Sequence, residues 1–170
     1  MSTELVGLAA SRRIPIHFLS CRGVLNLDPS ALATKPSEAS AVRFLPLQDG
    51  SNGYVASKWA SETYLENVAR VLGIPVFIHH FLPSNGPSAS HHVIMGEFLR
   101  HTRLVGALPE PDGDLDLVLA RTLMQRIYIC NSARDGVNDT GKPIYINHGS
   151  EIKLDGTRLL NPCRRVSGPI

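Results

Sequence analysis

Residues 52–76 read Asn52-Gly53-Tyr54-Val55-Ala56-Ser57-Lys58-Trp59-Ala60-Ser61-Glu62-Thr63-Tyr64-Leu65-Glu66-Asn67-Val68-Ala69-Arg70-Val71-Leu72-Gly73-Ile74-Pro75-Val76. The spacing predicts a helix from Tyr54 to Leu72. Val55, Trp59, Leu65, Val68 and Leu72 supply an apolar face, Ser51 or Asn52 can cap the start, and Glu66 and Arg70 are placed for an i,i+4 ion pair. Gly73 ends the helix. Ile74 to His79 is then a short apolar run of the length of a buried strand. A helix, a Gly-Ile-Pro link and an apolar strand are the grammar of an α/β fold with a parallel sheet.

Upstream, Ile14 to Ser20 reads as a second buried strand, and Thr3 to Arg13 as the last turns of a helix with basic residues at its end. Between Cys21 and Asn52 lie Pro29, Pro36, Pro46 and Gly50, so this stretch reads as a long irregular connection. Downstream, Pro83 to Pro87 is turn-rich, His91 to Val105 is helical, Pro109 to Asp114 is a loop, and Leu115 to Leu119 is a short strand. A helix from Ala120 to Ser132 and a late strand from Pro143 to Asn147 follow. Beyond Ile152 the signal fades. The division is therefore residues 1–150 as a folded part and 151–170 as a loose tail.

Composition bounds the function classes. With 43% hydrophobic and 19% charged residues among 170, the chain belongs with soluble globular proteins. A net charge of +2 with scattered basic residues gives no case for nucleic acid or an anionic membrane. No apolar run is long enough to span a bilayer. The three cysteines, Cys21, Cys130 and Cys163, have neither disulfide-framework nor metal-ligand spacing, and no secretory signal opens the chain; the expectation is a cytoplasmic protein. The pairs His79-His80 and His91-His92 lack a carboxylate or cysteine at supporting spacing, so no metal site is expected. His79 or His80 could face the active site; the favoured expectation is that one packs in the sheet and the other is exposed.

Tyr54 and Lys58 lie four apart and share a helix face. A phenol ordinarily loses its proton near pH 10, and an ammonium one turn away favours the phenolate. Such a tyrosine can protonate a developing alkoxide, while the lysine can hold a ribose hydroxyl. The same spacing also suits a tyrosine that merely packs its ring at a helix start.

The stretch Gly53-Tyr54-Val55-Ala56-Ser57-Lys58-Trp59 with Glu62, continued by Tyr64 to Arg70 and Gly73-Ile74-Pro75-Val76, resembles the active-site helix of extended short-chain dehydrogenases. Within them it is most similar to the carrier-protein thioester reductase domains of fungal polyketide synthase–nonribosomal peptide synthetases. Ile16 to Ser20 resembles the strand that delivers the family's Ser or Thr, and Asp114 to Val118 its substrate-side segment. The resemblance implies a Rossmann-like doubly wound parallel sheet. It also implies NADPH-dependent release of a pantetheine-bound acyl chain as aldehyde or alcohol, with Tyr54 as proton donor and Lys58 on the nicotinamide ribose.

Three departures accompany the likeness. The family's Gly-x-x-Gly-x-x-Gly turn, which brings backbone amides to the pyrophosphate, has no counterpart; Gly50 and Gly53 precede the helix without a strand before them. The N-terminal dinucleotide-binding half is therefore expected to be missing. Cys21-Arg22-Gly23-Val24 fits the register of the family's hydroxyl residue, which puts Cys21 in its place, with Ser20 beside it but facing the opposite way. A small buried cysteine is the equally simple reading of Cys21. Finally, His79-His80-Phe81-Leu82-Pro83 stands where the family has Arg-Pro after its His.

Three functions stay open at this point. The chain is a fragment of an NADPH-dependent thioester reductase acting on a carrier-protein-bound thioester, inactive alone, with the missing N-terminal half as its partner; or a Dieckmann-type cyclase that needs no redox step; or a non-catalytic partner or degenerate remnant that pairs with another reductase-like chain through an open strand edge.

Overall fold

The computed structural model describes residues 3–29, 37–81, 84–85, 94–106, 114–132 and 141–155. In chain order the elements are α1 (Thr3–Ser11), β1 (Ile16–Cys21), α2 (Arg22–Leu25), α3 (Gly53–Leu72), β2 (Val76–Phe81), β3 (Ser84–Asn85), α4 (Ile94–Val105), β4 (Asp114–Leu119), α5 (Ala120–Ser132), β5 (Ile144–Asn147) and β6 (Ile152–Asp155). They divide into two compact units, Met1–Phe81 with Ile127–His148, and Leu82–Arg126 with Gly149–Ile170.

The first unit holds a parallel sheet in the order β1-β2-β5. Its register pairs Phe18 with Ile78 and Ser20 with His80 across β1 and β2, and His80 with Asn147 across β2 and β5. Alternation sends Val76, Ile78 and Tyr145 to one face, where they join Val6 and Ala9 of α1 and Leu65, Val68 and Ala69 of α3 in the main core. A second cluster of Cys21, Val24, Ala41 and Val55, with Leu27, Phe44 and Trp59 against it, ties the connection before α3 to the helix. The Trp59 Nε1–H donates to the Val42 carbonyl at 3.2 Å.

Both ends of α3 are chemically marked. Of the two candidate caps it is Asn52 whose Oδ1 accepts from the Val55 amide, at 3.2 Å. At the other end Gly73 turns into the left-handed region at φ 61°, and its amide donates to the Ala69 carbonyl at 3.0 Å. Arg13 (φ 50°) closes α1 in the same left-handed way and donates from its guanidinium to the Gly73 carbonyl at 3.2 Å.

In the second unit β3 lies parallel to β4, and β6 runs antiparallel to β4 with Asp116 opposite Lys153. Arg126 donates to the Gly149 carbonyl at 3.1 Å.

Several expectations are corrected. β1 starts two residues later than the apolar run and extends to Cys21, and β2 continues to Phe81. The connection after Cys21 is not wholly irregular, since α2 occupies its start. Residues 152–155, within the stretch expected as a loose tail, form β6; residues 156–170 lie outside the described part. Leu72 is 46% exposed rather than part of the apolar face. Arg70 bonds Asn67 at 2.6 Å instead of Glu66, whose carboxylate accepts from Ser40 and Tyr145. His91, Pro83, Pro87 and the loop at Pro109 fall outside the described residues. β4 and α5 lie where the sequence put them.

Candidate active site

The cap at Asn52 starts α3 so that Tyr54 and Lys58 occupy its first two turns beside the end of β1. The Lys58 ammonium donates to the Leu19 carbonyl at 2.8 Å and sits over two rings, 5.1 Å from the centre of Phe18 and 5.7 Å from that of Tyr54. Tyr54 is 61% exposed, which leaves its hydroxyl available to a ligand. The ammonium thus faces the ring of Tyr54 and spends a proton on β1. The expected lowering of the phenol pKa does not arise in this arrangement: partial burial, then the neighbouring Cys21 charge, push it above its ordinary value. At neutral pH Tyr54 holds its proton.

Ser20 and Cys21, adjacent on β1, diverge as strand alternation requires. Ser20 is fully buried and donates to the Glu62 carboxylate of α3. It is therefore committed elsewhere and does not replace a hydroxyl at the Tyr54 site. Cys21 turns into the cluster with Val24, Ala41 and Val55. Burial raises its thiol pKa; the Val24 and Gly23 amides and the Lys58 charge partly offset that, and Glu62 adds to it. These amides approach the sulfur without a capping hydrogen bond. Gly23 has a steric reason to be glycine: a Cβ there would lie 2.7 Å from Val55 Cγ2.

Behind this pair lies a polar core that sequence reasoning missed. Glu62 is fully buried, and its Oε1 also lies 3.1 Å from His80 Nε2. The other ring nitrogen of His80 faces Asn147 Oδ1 at 3.1 Å, while Asn147 Nδ2 donates to the Ser37 carbonyl at 3.3 Å and so fixes the amide's orientation. Glu62 Oε2 is buried with no hydrogen-bond partner among the described residues. The one available signal was positional: Glu62 follows Tyr54 and Lys58 at four-residue steps, on the face that continues to buried Leu65 and Ala69.

On the other sheet face, His17, His79 and His148 form a row, with ring nitrogens 3.0 and 2.9 Å apart. Burial, then the charges of His148, His17 and His80, lower the pKa of His79 to about 4. His79 and His80 are both buried, at 0% and 2% exposure, against the expectation that one is exposed. The two nitrogens of His79 are engaged in opposite directions, so the row does not converge as metal ligands must. Among the described residues no group of three His, Cys, Asp or Glu is placed to hold a metal.

The residues fit one end of a nicotinamide cofactor. Tyr54 offers an exposed phenol O–H, and Lys58 offers ammonium donors beside its ring. At the start of α3 the Val55 amide is already taken by Asn52 Oδ1, and a Cβ at Gly50 or Gly53 would meet open space. No described helix is long and apolar enough to cross a membrane.

No family model matches the chain. Among curated proteins it is 35% identical over 160 residues to the hybrid PKS-NRPS synthetase LUC5 of Fusarium sp, an alignment covering 92% of this chain and 4% of that protein. It is 39% identical over 161 residues to the hybrid PKS-NRPS synthetase poxE of Penicillium oxalicum, covering 89% and 4%. With the fusarin C synthetase of Gibberella fujikuroi it shares 42% over 111 residues, covering 64% and 3%. The chain thus spans a small part of the length of these relatives. Among solved structures it is similar to UDP-galactose 4-epimerase (TM-score 0.65, 14% identity, 92% of this chain and 49% of that one). It is similar also to dTDP-glucose 4,6-dehydratase from Bacillus anthracis in complex with NAD (TM-score 0.62, 14% identity, 95% and 49%). Those likenesses establish the fold, a Rossmann-like α/β sheet matching about half of each neighbour. The chain is thus similar, over most of its length, to a small segment of fungal hybrid PKS-NRPS synthetases, and it has the Rossmann-like α/β fold of the epimerase and dehydratase structures.

Proposed function

We propose that these 170 residues are the catalytic-helix part of an NADPH-dependent thioester reductase that releases a carrier-protein-bound acyl or peptidyl chain as aldehyde or alcohol, in the cytoplasm. The observation that carries the reading is Lys58 on the Leu19 carbonyl beneath an exposed Tyr54, in a chain related to hybrid synthetases. The cofactor supplies the hydride when bound. Tyr54, protonated at neutrality, donates its proton to the oxygen that becomes an alkoxide. Lys58 has further donors beyond the one used on Leu19 and turns them to the ribose. Cys21, where the family places a hydroxyl, is a weaker donor and polarises the carbonyl less. The sequence carries no Gly-x-x-Gly-x-x-Gly turn for the pyrophosphate, so on this reading the chain is inactive alone. A Dieckmann-type cyclase would use Tyr54 as a base, and the raised phenol pKa keeps that base scarce at neutral pH.

The test is a fluorescence titration of the chain with NADPH up to millimolar concentrations, with Lys58→Ala beside it and an acyl-pantetheine thioester added at saturation. Weak saturable binding that Lys58→Ala abolishes, without turnover, is expected. Binding indifferent to Lys58 overturns the assignment of Lys58, whereas no binding would mean that these residues hold no cofactor without a pyrophosphate cradle from outside them. Cyclisation of a β-ketoacyl-aminoacyl thioester without NADPH would favour the cyclase.

A further inference from the structure

We propose that Glu62 is a positioning residue for the Tyr54–Lys58 site, acting through the C-terminal ends of β1 and β2. The inference rests on the reading that Tyr54 and Lys58 are the acting pair.

The geometry forms a short chain of contacts. Glu62 is on α3 one turn beyond Lys58, and its Oε1 takes the Ser20 hydroxyl and lies 3.1 Å from His80 Nε2. Ser20 and His80 are register partners on β1 and β2. One carboxylate oxygen therefore ties α3 to two adjacent strands at a single rung of the sheet. Leu19, whose carbonyl holds Lys58, immediately precedes Ser20 on β1. Cys21, which packs against Val55 at the start of α3, immediately follows it. A shift of β1 along α3 would move both neighbours of Ser20 together, and the Ser20–Glu62 bond opposes that shift.

A carboxylate is costly at a fully buried position, and hydrophobic residues fill such positions at lower cost. Leu65 and Ala69, on the same helix face, do so. What Glu62 adds is direction. An apolar side chain would pack against the strands without fixing their register, whereas this carboxylate accepts at defined angles from a hydroxyl and lies against an imidazole. His80 is itself oriented from behind by Asn147, and Asn147 by the Ser37 carbonyl. The support thus extends over β1, β2, β5 and the segment before α3, while Tyr54 stays exposed and Lys58 half-buried.

Competitive acetylation of the intact chain, read as the Lys58/Lys142 labelling ratio by mass spectrometry, tests this. A lysine held on a carbonyl labels slowly, and exposed Lys142 serves as the internal reference. Glu62→Ala and Ser20→Ala are expected to raise the ratio about fivefold, the change that follows loss of one hydrogen bond of ordinary strength. Glu62→Gln, which keeps an acceptor oxygen, restores a near-native ratio. Leu65→Ala, a core deletion that removes none of these hydrogen bonds, leaves the ratio unchanged. If Glu62→Ala does not fold, Ser20→Ala decides alone. An unchanged ratio in the folded variants, or an equal rise in Leu65→Ala, overturns the proposal. The labelling needs neither cofactor nor substrate, so its result is separable from that of the NADPH titration.

Discussion

The Lys58 ammonium is anchored 2.8 Å from the carbonyl oxygen of Leu19, so the lysine that follows Tyr54 by one helical turn is aimed by a strand rather than by Tyr54. This anchor is exposed to solvent, and bonds of that kind contribute little to stability. Lys58→Ala is therefore expected to change the free energy of unfolding by less than about 1 kcal/mol. Leu65→Ala in the main core is expected to cost about 2–5 kcal/mol. Urea unfolding followed by circular dichroism checks both. A loss of several kcal/mol in Lys58→Ala would mean that the lysine is a structural strut and not a free ligand for a ribose.

Gly23 and Val55 meet where α2 passes the start of α3. A Cβ at Gly23 would lie 2.7 Å from Val55 Cγ2, too close without a shift of the helix. Gly23→Ala is expected to destabilise the chain by about 1–3 kcal/mol through overpacking. Val55→Ala removes the clashing methyl, so the double variant is expected to be more stable than the sum of the two single losses predicts. A thermodynamic cycle from urea melts measures that coupling. Additive losses would show that the glycine is needed for another reason.

The order of legibility follows from where each signal resides. α3 was readable because its information is local: Asn52, an apolar stripe and Gly73 lie within one run, and the spacing of Tyr54 and Lys58 follows from helical pitch. α5 was readable in the same way. The face of α3 was only half readable. Glu62 looks like a solvated charge in sequence and is fully buried, because its partners Ser20 and His80 come from strands distant along the chain. Leu72 counts as apolar but stands near the helix end, where it is 46% exposed. β6 escaped because Ile152 to Asp155 is short and half polar, and its pairing with β4 is non-local. The same limit hid the histidine row, whose members lie on β1, on β2 and just after β5.

That row makes stability depend on pH with a definite sign. Folding holds His79 neutral, with its pKa lowered from 6.5 to about 4. Between those values the unfolded chain binds a proton that the folded chain does not. The contribution of His79 is complete above pH 6.5, is lost as pH falls from 6.5 to about 4, and changes no further below. Its full size is on the order of 3 kcal/mol. The difference between wild type and His79→Gln, by urea melts across this window, isolates it from the carboxylates. An equal slope in both proteins would show that the ring titrates as it does in the unfolded chain.

Cys21 is the place where the chain departs from the hydroxyl expected beside Tyr54, and its surroundings explain why a thiol is tolerated. It packs with Val24, Ala41 and Val55, and burial raises its pKa, so the reactive thiolate is scarce. Iodoacetamide at pH 8 is expected to modify Cys21 at least about tenfold more slowly in the folded chain than in urea. Cys130, half-buried on α5, should be less protected. Cys21→Ser places a polar group in the same apolar cluster and is expected to cost about 1–3 kcal/mol, unless the hydroxyl finds the Val24 or Gly23 amide. Peptide-level mass spectrometry reads the alkylation, and urea melts read the cost. Rapid labelling of Cys21 in the folded chain would mean that the thiol opens toward Tyr54 and Lys58. A serine variant as stable as wild type would show that the site accepts a hydroxyl at this position.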